Sequence, residues 1–272
     1  MTVAILDGAV GTELIARGLA VDGRHWTARA AVDAPELLAE VHSDYARAGA
    51  TLHTANTFRT QPGSLGEGWR DVLRAAVSVA RAAVPEEHRI AGSMAPLADC
   101  YRPDLSPGEG ARDDHRRIAF ALAEAGCDLL ICETFANEAE AFVAAEEAAR
   151  TGLPAWLSMT AGPFAELLTP EALRGIAARA ASTGIERLLV NCVAASQAQP
   201  YVEAVADIGL PIGVYANAGA REDGLGWDAT GRHAAEAYAA YAQGWVDAGA
   251  SVLGGCCGTR PAHIEALAAR FA

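Results

Sequence analysis

Short apolar runs recur along the chain at residues 3–6, 50–55, 89–93, 128–132, 154–159, 187–190, 211–215 and 251–253. Each run is continuous rather than alternating, as expected of a strand buried on both faces of a parallel sheet. Alanine-rich stretches with helical spacing lie between them. Ala34-Pro35-Glu36 opens one helix with a proline and an acid in its first turn, and Gly49 stops it after Ala48. Thr169-Pro170-Glu171 opens another that stops near Gly184, and Thr259-Arg260-Pro261 opens the last. The remaining helices are predicted at residues 68–84, 112–125, 138–150, 196–208 and 232–248. This alternation favours a closed α/β barrel, the (β/α)8 or TIM-barrel fold, over an open sheet. The 272 residues suit a single such domain, which typically takes about 250, so one domain spanning residues 1–272 is expected.

A barrel of this kind places its chemistry at the carboxyl ends of its strands. Those ends carry Asp7, Asn56, Ser93, Glu133, Thr160, Cys192, Asn217 and the pair Cys256-Cys257. So many polar and metal-ligating groups at one rim argue for an enzyme. The densest stretch is Leu253-Gly254-Gly255-Cys256-Cys257-Gly258-Thr259, which joins with Asn191-Cys192 upstream. Three cysteine sulfurs can hold a zinc ion, and with no fourth sulfur evident nearby one position is left open for substrate. On the residues alone other readings stay open. Adjacent cysteines also occur as small core residues or as a vicinal disulfide, and Cys192 by itself reads as a buried apolar side chain. Asp7 and Glu133 fit either substrate contacts or rim carboxylates paired with arginine, and Asn56 and Asn217 fit either a substrate role or support of loop backbone. His25, His42, His88, His115, His233 and His263 fall in helices or loops and are expected at the surface. His53, inside the second strand, is expected to be a satisfied barrel histidine. The turn-rich loops 101–110 and 219–231 are candidate lids.

Composition narrows the function classes. No long uncharged apolar run accompanies the 51% hydrophobic content, so no membrane span is expected. Residues 1–8 have no basic region and run straight into a strand. No signal peptide is therefore expected, and the cytoplasm is the expected location. Six cysteines without framework spacing point to reduced thiols rather than disulfide staples. A net charge of -13 disfavours nucleic acid or anionic membrane as a partner, because phosphate contacts need clustered cations. All 21 basic residues are arginine, which excludes Schiff-base chemistry on lysine.

Seven motifs occur in order from the first strand to the last. They are Asp7-Gly8-Ala9-Val10-Gly11-Thr12-Glu13-Leu14, Ala55-Asn56-Thr57-Phe58, Gly92-Ser93 with Pro96, residues 128–134, Asn191-Cys192, Tyr215-Ala216-Asn217-Ala218-Gly219 and Gly254-Gly255-Cys256-Cys257-Gly258-Thr259. Together they resemble the homocysteine S-methyltransferase family over essentially the whole chain. The resemblance implies a zinc-dependent barrel that methylates homocysteine sulfur to give methionine, with Cys192, Cys256 and Cys257 as zinc ligands. It implies that Asn217 lies beside the metal, that Asp7 and Glu133 hold the substrate ammonium, and that Gly8 and Ser93 line the amino-acid pocket, with Asn56 in the same substrate-binding rim. The chemistry is coherent without the family. A free thiol is mostly protonated at neutral pH, only its thiolate is a good nucleophile, and zinc coordination deprotonates it.

Family members that use folate or cobalamin carry additional domains. The expected donor here is therefore a sulfonium, S-methylmethionine or S-adenosylmethionine; His25-Trp26 and Arg59-Thr60-Gln61-Pro62 strengthen that resemblance. The chain departs from the family pattern in two places. Ala216 stands where proline is common, and the loop after the fifth strand, residues 160–165, is short and lacks a polar Asp-Gly-Thr-like element. The second departure leaves the acceptor open to another small thiol or a selenol such as selenocysteine. A barrel that binds zinc and a thiol without turnover is a further alternative. The sequence says nothing of oligomeric state.

Overall fold

In the computed structural model, which describes residues 3–21, 23, 25–218 and 232–272, eight strands form one parallel sheet. They are β1 (Ala4–Ile5), β2 (Leu52–Thr54), β3 (Arg89–Met94), β4 (Leu129–Phe135), β5 (Ala155–Met159), β6 (Arg187–Ala194), β7 (Ile212–Asn217) and β8 (Ala250–Leu253). The sheet runs β1-β8-β7-β6-β5-β4-β3-β2, and a parallel bridge from Leu6 to Leu52 closes it into the expected barrel. The candidate lid at residues 219–231 lies outside the described residues. No helix among the described residues is long and apolar enough to cross a membrane.

The helices are α1 (Val10–Ala16), α2 (Ala30–Asp33), α3 (Pro35–Arg47), α4 (Pro62–Leu65), α5 (Trp69–Ala83), α6 (Arg112–Glu124), α7 (Glu138–Ala149), α8 (Pro170–Ala180), α9 (Gln199–Val205), α10 (Arg232–Asp247) and α11 (Pro261–Phe271). Their starts follow local chemistry. Asn137 caps α7 by accepting from Glu140 N, and Thr169 caps α8 by accepting from Ala172 N, each satisfying an orphan donor of the first turn. Proline in the first turn sets α3, α8 and α11. The predicted helix at 196–208 shortens to α9, because Pro200 resets the start after a tighter turn at Ala195–Gln197. Helices α1, α2 and α4 are additions that the spacing does not predict.

Apolar side chains divide between two shells. Leu6, Leu52, Ala91, Leu129, Ile131, Trp156, Leu189, Tyr215 and Val252 fill the barrel interior, and a larger cluster packs the sheet against the helices. Alternate strand residues thus face opposite apolar environments, which is why the runs show no polar alternation. The helix ring corrects one expectation. His42, His115 and His263 are fully buried rather than at the surface, because helical phase puts them on core-facing stripes; His42 stands with Leu38, Val41 and Tyr45. His233 is exposed, and His25 and His88 are half-buried.

Strands β4 and β6 run past their predicted ends, and each carries a register shift there, between Cys132 and Phe135 and between Asn191 and Ala194. Within those bulges Thr134 has φ 65° and Cys192 has φ 55°. Left-handed backbone at such residues costs on the order of 1–3 kcal/mol and persists only where surrounding contacts enforce it. A bulge re-aims the side chains it carries, and here it turns Glu133 and Cys192 toward the barrel mouth.

Candidate active site

A cavity of about 710 Å³ opens at the carboxyl ends of the strands. Gly8, Asn56, Ser93, Glu133, Cys192, Cys256 and Cys257 line it. Asp7 and Asn217 do not, although both are buried beside it.

The three sulfurs converge. One sulfur from each of Cys192, Cys256 and Cys257 lies within 4.8 Å of the other two, with Cys192 Sγ 3.8 Å from Cys257 Sγ. Backbone bonds from Cys256 N to Ala216 O and from Ala218 N to Cys257 O hold the vicinal pair against the end of β7 on both sides of Asn217. Asn191 fixes the third cysteine. Its Oδ1 accepts from Thr134 N at 3.2 Å and from Ser158 Oγ at 2.8 Å, and its Nδ2 donates to Thr134 Oγ1 at 2.8 Å. One amide thereby locks the two bulges together.

The three thiols titrate together, and hydrogen bonds from Cys192 and Cys256 hold the Cys257 thiol well below its usual range. Cys192 is pushed up by its bonds to Cys256 and Cys257 and by burial. Cys256 is lowered by its bond with Cys192, but bonding to Cys257 and burial outweigh that and leave it raised. Three sulfurs converge here with no cation among the described residues beside them, and the buried Asn217 Oδ1 has no partner among those residues. The donor set therefore fits a thiophilic metal ion.

Glu133 sits across the cavity, where Ser93 Oγ donates to Oε1 and Tyr215 OH donates to Oε2 at 3.1 Å. Burial pushes its carboxyl up to about 7 despite those bonds, and the nearby Cys256 adds to the rise. Asp7 lies behind the floor, its carboxylate accepting from Thr54 N at 2.9 Å and Thr54 Oγ1 at 3.0 Å. Burial raises it well above its usual value. Asn56 is spent on Thr27: its Nδ2 donates to Thr27 O at 2.7 Å and its Oδ1 accepts from Thr27 Oγ1 at 3.2 Å.

Several residues that the sequence reading left without a site role also reach the cavity. Tyr101, in the candidate lid 101–110, places its hydroxyl 2.9 Å from Cys192 Sγ, on the open side of the cluster. Trp26 and Phe58 face the cavity, their rings edge-on at 6.1 Å, and Arg59 lies 5.0 Å from the Phe58 ring. Cys100 also lines the cavity, so a fourth sulfur stands near the cluster after all, although outside it; burial pushes its thiol up to about 11. A pattern search keyed to strand ends cannot find residues carried by loops. The dense aromatic and arginine content of residues 58–59 and 101–102 was the available signal. No residue of the β5–α8 connection reaches the cavity wall.

Comparison with known proteins gives a consistent picture. The family model for homocysteine S-methyltransferase matches residues 4–271. The homocysteine S-methyltransferase of Escherichia coli (strain K12) is 35% identical over 297 aligned positions, covering 98% of this chain and 95% of that protein. A selenocysteine Se-methyltransferase of Brassica oleracea var. italica is 29% identical, covering 98% and 88%. Among solved structures, the metallated form of the homocysteine methyltransferase MmuM from Escherichia coli superposes with a TM-score of 0.82 at 32% identity, over 99% of this chain and 96% of that one.

Proposed function

The chain belongs to the homocysteine S-methyltransferase family, and from that premise we propose that it transfers a methyl group from a sulfonium donor to the thiol of L-homocysteine, using zinc held by Cys192, Cys256 and Cys257. The observation that carries this reading is the convergence of those three sulfurs within 4.8 Å at one side of the cavity. When bound there, zinc supplies the Lewis acidity that deprotonates an acceptor thiol at neutral pH.

The protein's own residues do the rest. Glu133, aimed by Ser93 and Tyr215, takes the acceptor's ammonium group and so fixes the acceptor's sulfur toward the cysteines. Gly8 lets the cavity floor pack directly on the Tyr45 ring, which lies 2.6 Å from where a Cβ would stand. Trp26, Phe58 and Tyr101 offer aromatic surfaces to a cationic donor, an attraction of about 0.5–2 kcal/mol per ring. In the transfer the acceptor sulfur forms a bond to the methyl carbon while the donor's carbon–sulfur bond breaks. The bonding pair stays on the departing sulfur, which leaves as a neutral thioether. No proton moves at the reacting carbon, so alignment of the two sulfurs supplies most of the acceleration.

A second reading, transfer to a selenol, is favoured by the likeness to the selenocysteine Se-methyltransferase of Brassica oleracea var. italica. Both readings are tested by giving zinc-loaded, reduced protein a sulfonium donor labelled in its methyl group together with L-homocysteine or L-selenocysteine. Label in methionine that disappears in Cys256→Ser supports the proposal. Zinc and thiol binding without labelled product would leave a binding protein.

A further inference from the structure

Behind the cavity floor, between β1, β2 and α3, lies a second group of ligand-capable side chains. Asp7 follows β1, His53 is the central residue of β2, and His42 stands on the buried face of α3; their exposures are 1%, 0% and 0%. One donor atom from each lies within 4.8 Å of the other two. Their hydrogen bonding is incomplete in a specific way. Both ring nitrogens of His42 have no partner among the described residues, and Nδ1 of His53 has none beyond a weak approach to the Ala50 backbone. Leaving buried polar groups unmatched costs about 1–3 kcal/mol each, and unmatched groups in a native core call for a missing partner.

The groups around the cluster are arranged as they are around metal ligands. His53 Nε2 is engaged by His88 Nδ1 at 3.0 Å, which leaves Nδ1 as the nitrogen available to a ligand. Thr54 fixes both oxygens of Asp7 from one side, at 2.9 and 3.0 Å, leaving lone pairs on the other. Outer partners of this kind set the tautomer and orientation of ligating side chains. Among the described residues no arginine pairs with Asp7, and the other charged group acting on it, Glu133, is also acidic. Nothing cationic among the described residues offsets its burial, which is why the carboxyl is raised.

We propose that Asp7, His42 and His53 form a second divalent-metal site, distinct from the thiol cluster and suited to zinc or a similar first-row cation. Two imidazoles and a carboxylate are a fitting donor set for such ions. Burial drives the imidazoles of His42 and His53 down to about 4 and about 3, so both are neutral with lone pairs available at neutral pH. Donors around tetrahedral zinc bond at about 2.0–2.2 Å and so lie roughly 3.3 Å apart, which requires the widest separation here to close by about 1.5 Å. The enclosure makes the role structural: the cation ties α3 to the first two strands and holds Asp7 beneath Gly8.

Metal counting on the full-length, reduced protein tests this without reference to turnover. After zinc loading and dialysis, the wild type is expected to hold two equivalents, and His42→Leu or His53→Leu one. With cobalt in place of zinc, His42→Leu keeps the thiolate-to-metal absorption and Cys256→Ser weakens it. The sign of the thermal shift is a second readout, independent of retention on dialysis. With no metal present, replacing the unmatched His42 by leucine removes a buried polar penalty and raises Tm; with a metal in place the same change lowers Tm in zinc and shrinks the zinc-dependent rise in Tm to the part that the cysteine site supplies. A zinc count that is equal in wild type and both histidine variants, with His42→Leu more stable, overturns the proposal. Loss of the equivalent assigned to the cysteines alone would instead count against the proposed function and leave this site standing.

Discussion

Glu133→Gln isolates the energetic consequence of placing a carboxylate in the barrel mouth. Glu133 is 8% exposed, and burial lifts it from an ordinary 4.5 to about 7. The folded state therefore binds this proton more tightly than the unfolded state does. Between those two values the native protein holds more protons, so its stability falls as pH rises from about 4.5 and levels off above about 7. A shift of this size corresponds to about 3 kcal/mol at pH 8 but no more than about 1 kcal/mol at pH 5, at 1.36 kcal/mol per unit. Glutamine matches the neutral acid in shape and keeps an oxygen for Ser93 or Tyr215. The variant should therefore be more stable than wild type by about 2–3 kcal/mol at pH 8 and nearly equal to it at pH 5. Urea unfolding of the metal-free, reduced proteins at both pH values measures this, with the difference between variants cancelling every other titration. The same variant should raise KM for the acceptor at pH 8, because the ammonium contact is lost. A variant that is less stable at pH 8, or whose advantage does not shrink toward pH 5, would refute burial as the dominant influence on Glu133.

Other expectations follow from the same geometry. Asn191→Ala should destabilise the protein by about 2–4 kcal/mol in urea titrations, since it strands Thr134 N and Ser158 Oγ, and chelator competition should show looser metal binding. Gly11→Ala places a Cβ 2.3 Å from the Trp26 ring; displacing that wall should raise KM for the sulfonium donor several-fold while leaving KM for the acceptor nearly unchanged in steady-state assays. Tyr101→Phe removes the hydroxyl that lies 2.9 Å from Cys192 Sγ. In the metal-free protein it should speed alkylation of Cys192 by iodoacetamide, followed by mass spectrometry. Cys257→Ser takes away one of the three clustered sulfurs and should reduce bound zinc by one equivalent, read by atomic emission.

The barrel was legible because buried parallel strands and amphipathic helices leave different periodicities, and proline or an acid marks several helix starts. The cysteines were legible because Gly255-Cys256-Cys257-Gly258 has little use as ordinary core. What escaped depends on contacts between segments distant in sequence. Asn191 is one residue from a predicted ligand, yet its role requires Thr134 and Ser158 from two other strands. The bulges that lengthen β4 and β6 are backbone events, with no glycine at Thr134 or Cys192 to announce them. Asp7 and Glu133 read alike as rim carboxylates, but the bulge in β4 brings Glu133 into the cavity while Asp7 turns behind the floor toward Thr54. The buried histidines escaped because a single polar residue on a helix's apolar stripe looks like an interruption of the stripe.

The charge of the site bears directly on the choice of donor. Three clustered cysteine sulfurs and the Glu133 carboxyl make the inner cavity electron-rich, while Arg59 sets a positive charge over the Phe58 ring at the outer wall. An anionic methyl donor would enter the inner cavity against the field. The proposed sulfonium donor would enter with it, and its charge would vanish as the methyl departs, so the product thioether would lose the attraction that drew the donor in. The same electrostatics that bind the donor thus favour release after transfer, and they predict that a neutral methyl thioether such as methionine binds more weakly than S-methylmethionine, by the aromatic and Coulombic contribution of about 1–3 kcal/mol. Competition against the donor, measured as the ratio of the inhibition constant for methionine to the dissociation constant for S-methylmethionine, reads this directly. Equal affinities would mean that shape alone, and not the cluster's charge, selects what the cavity admits.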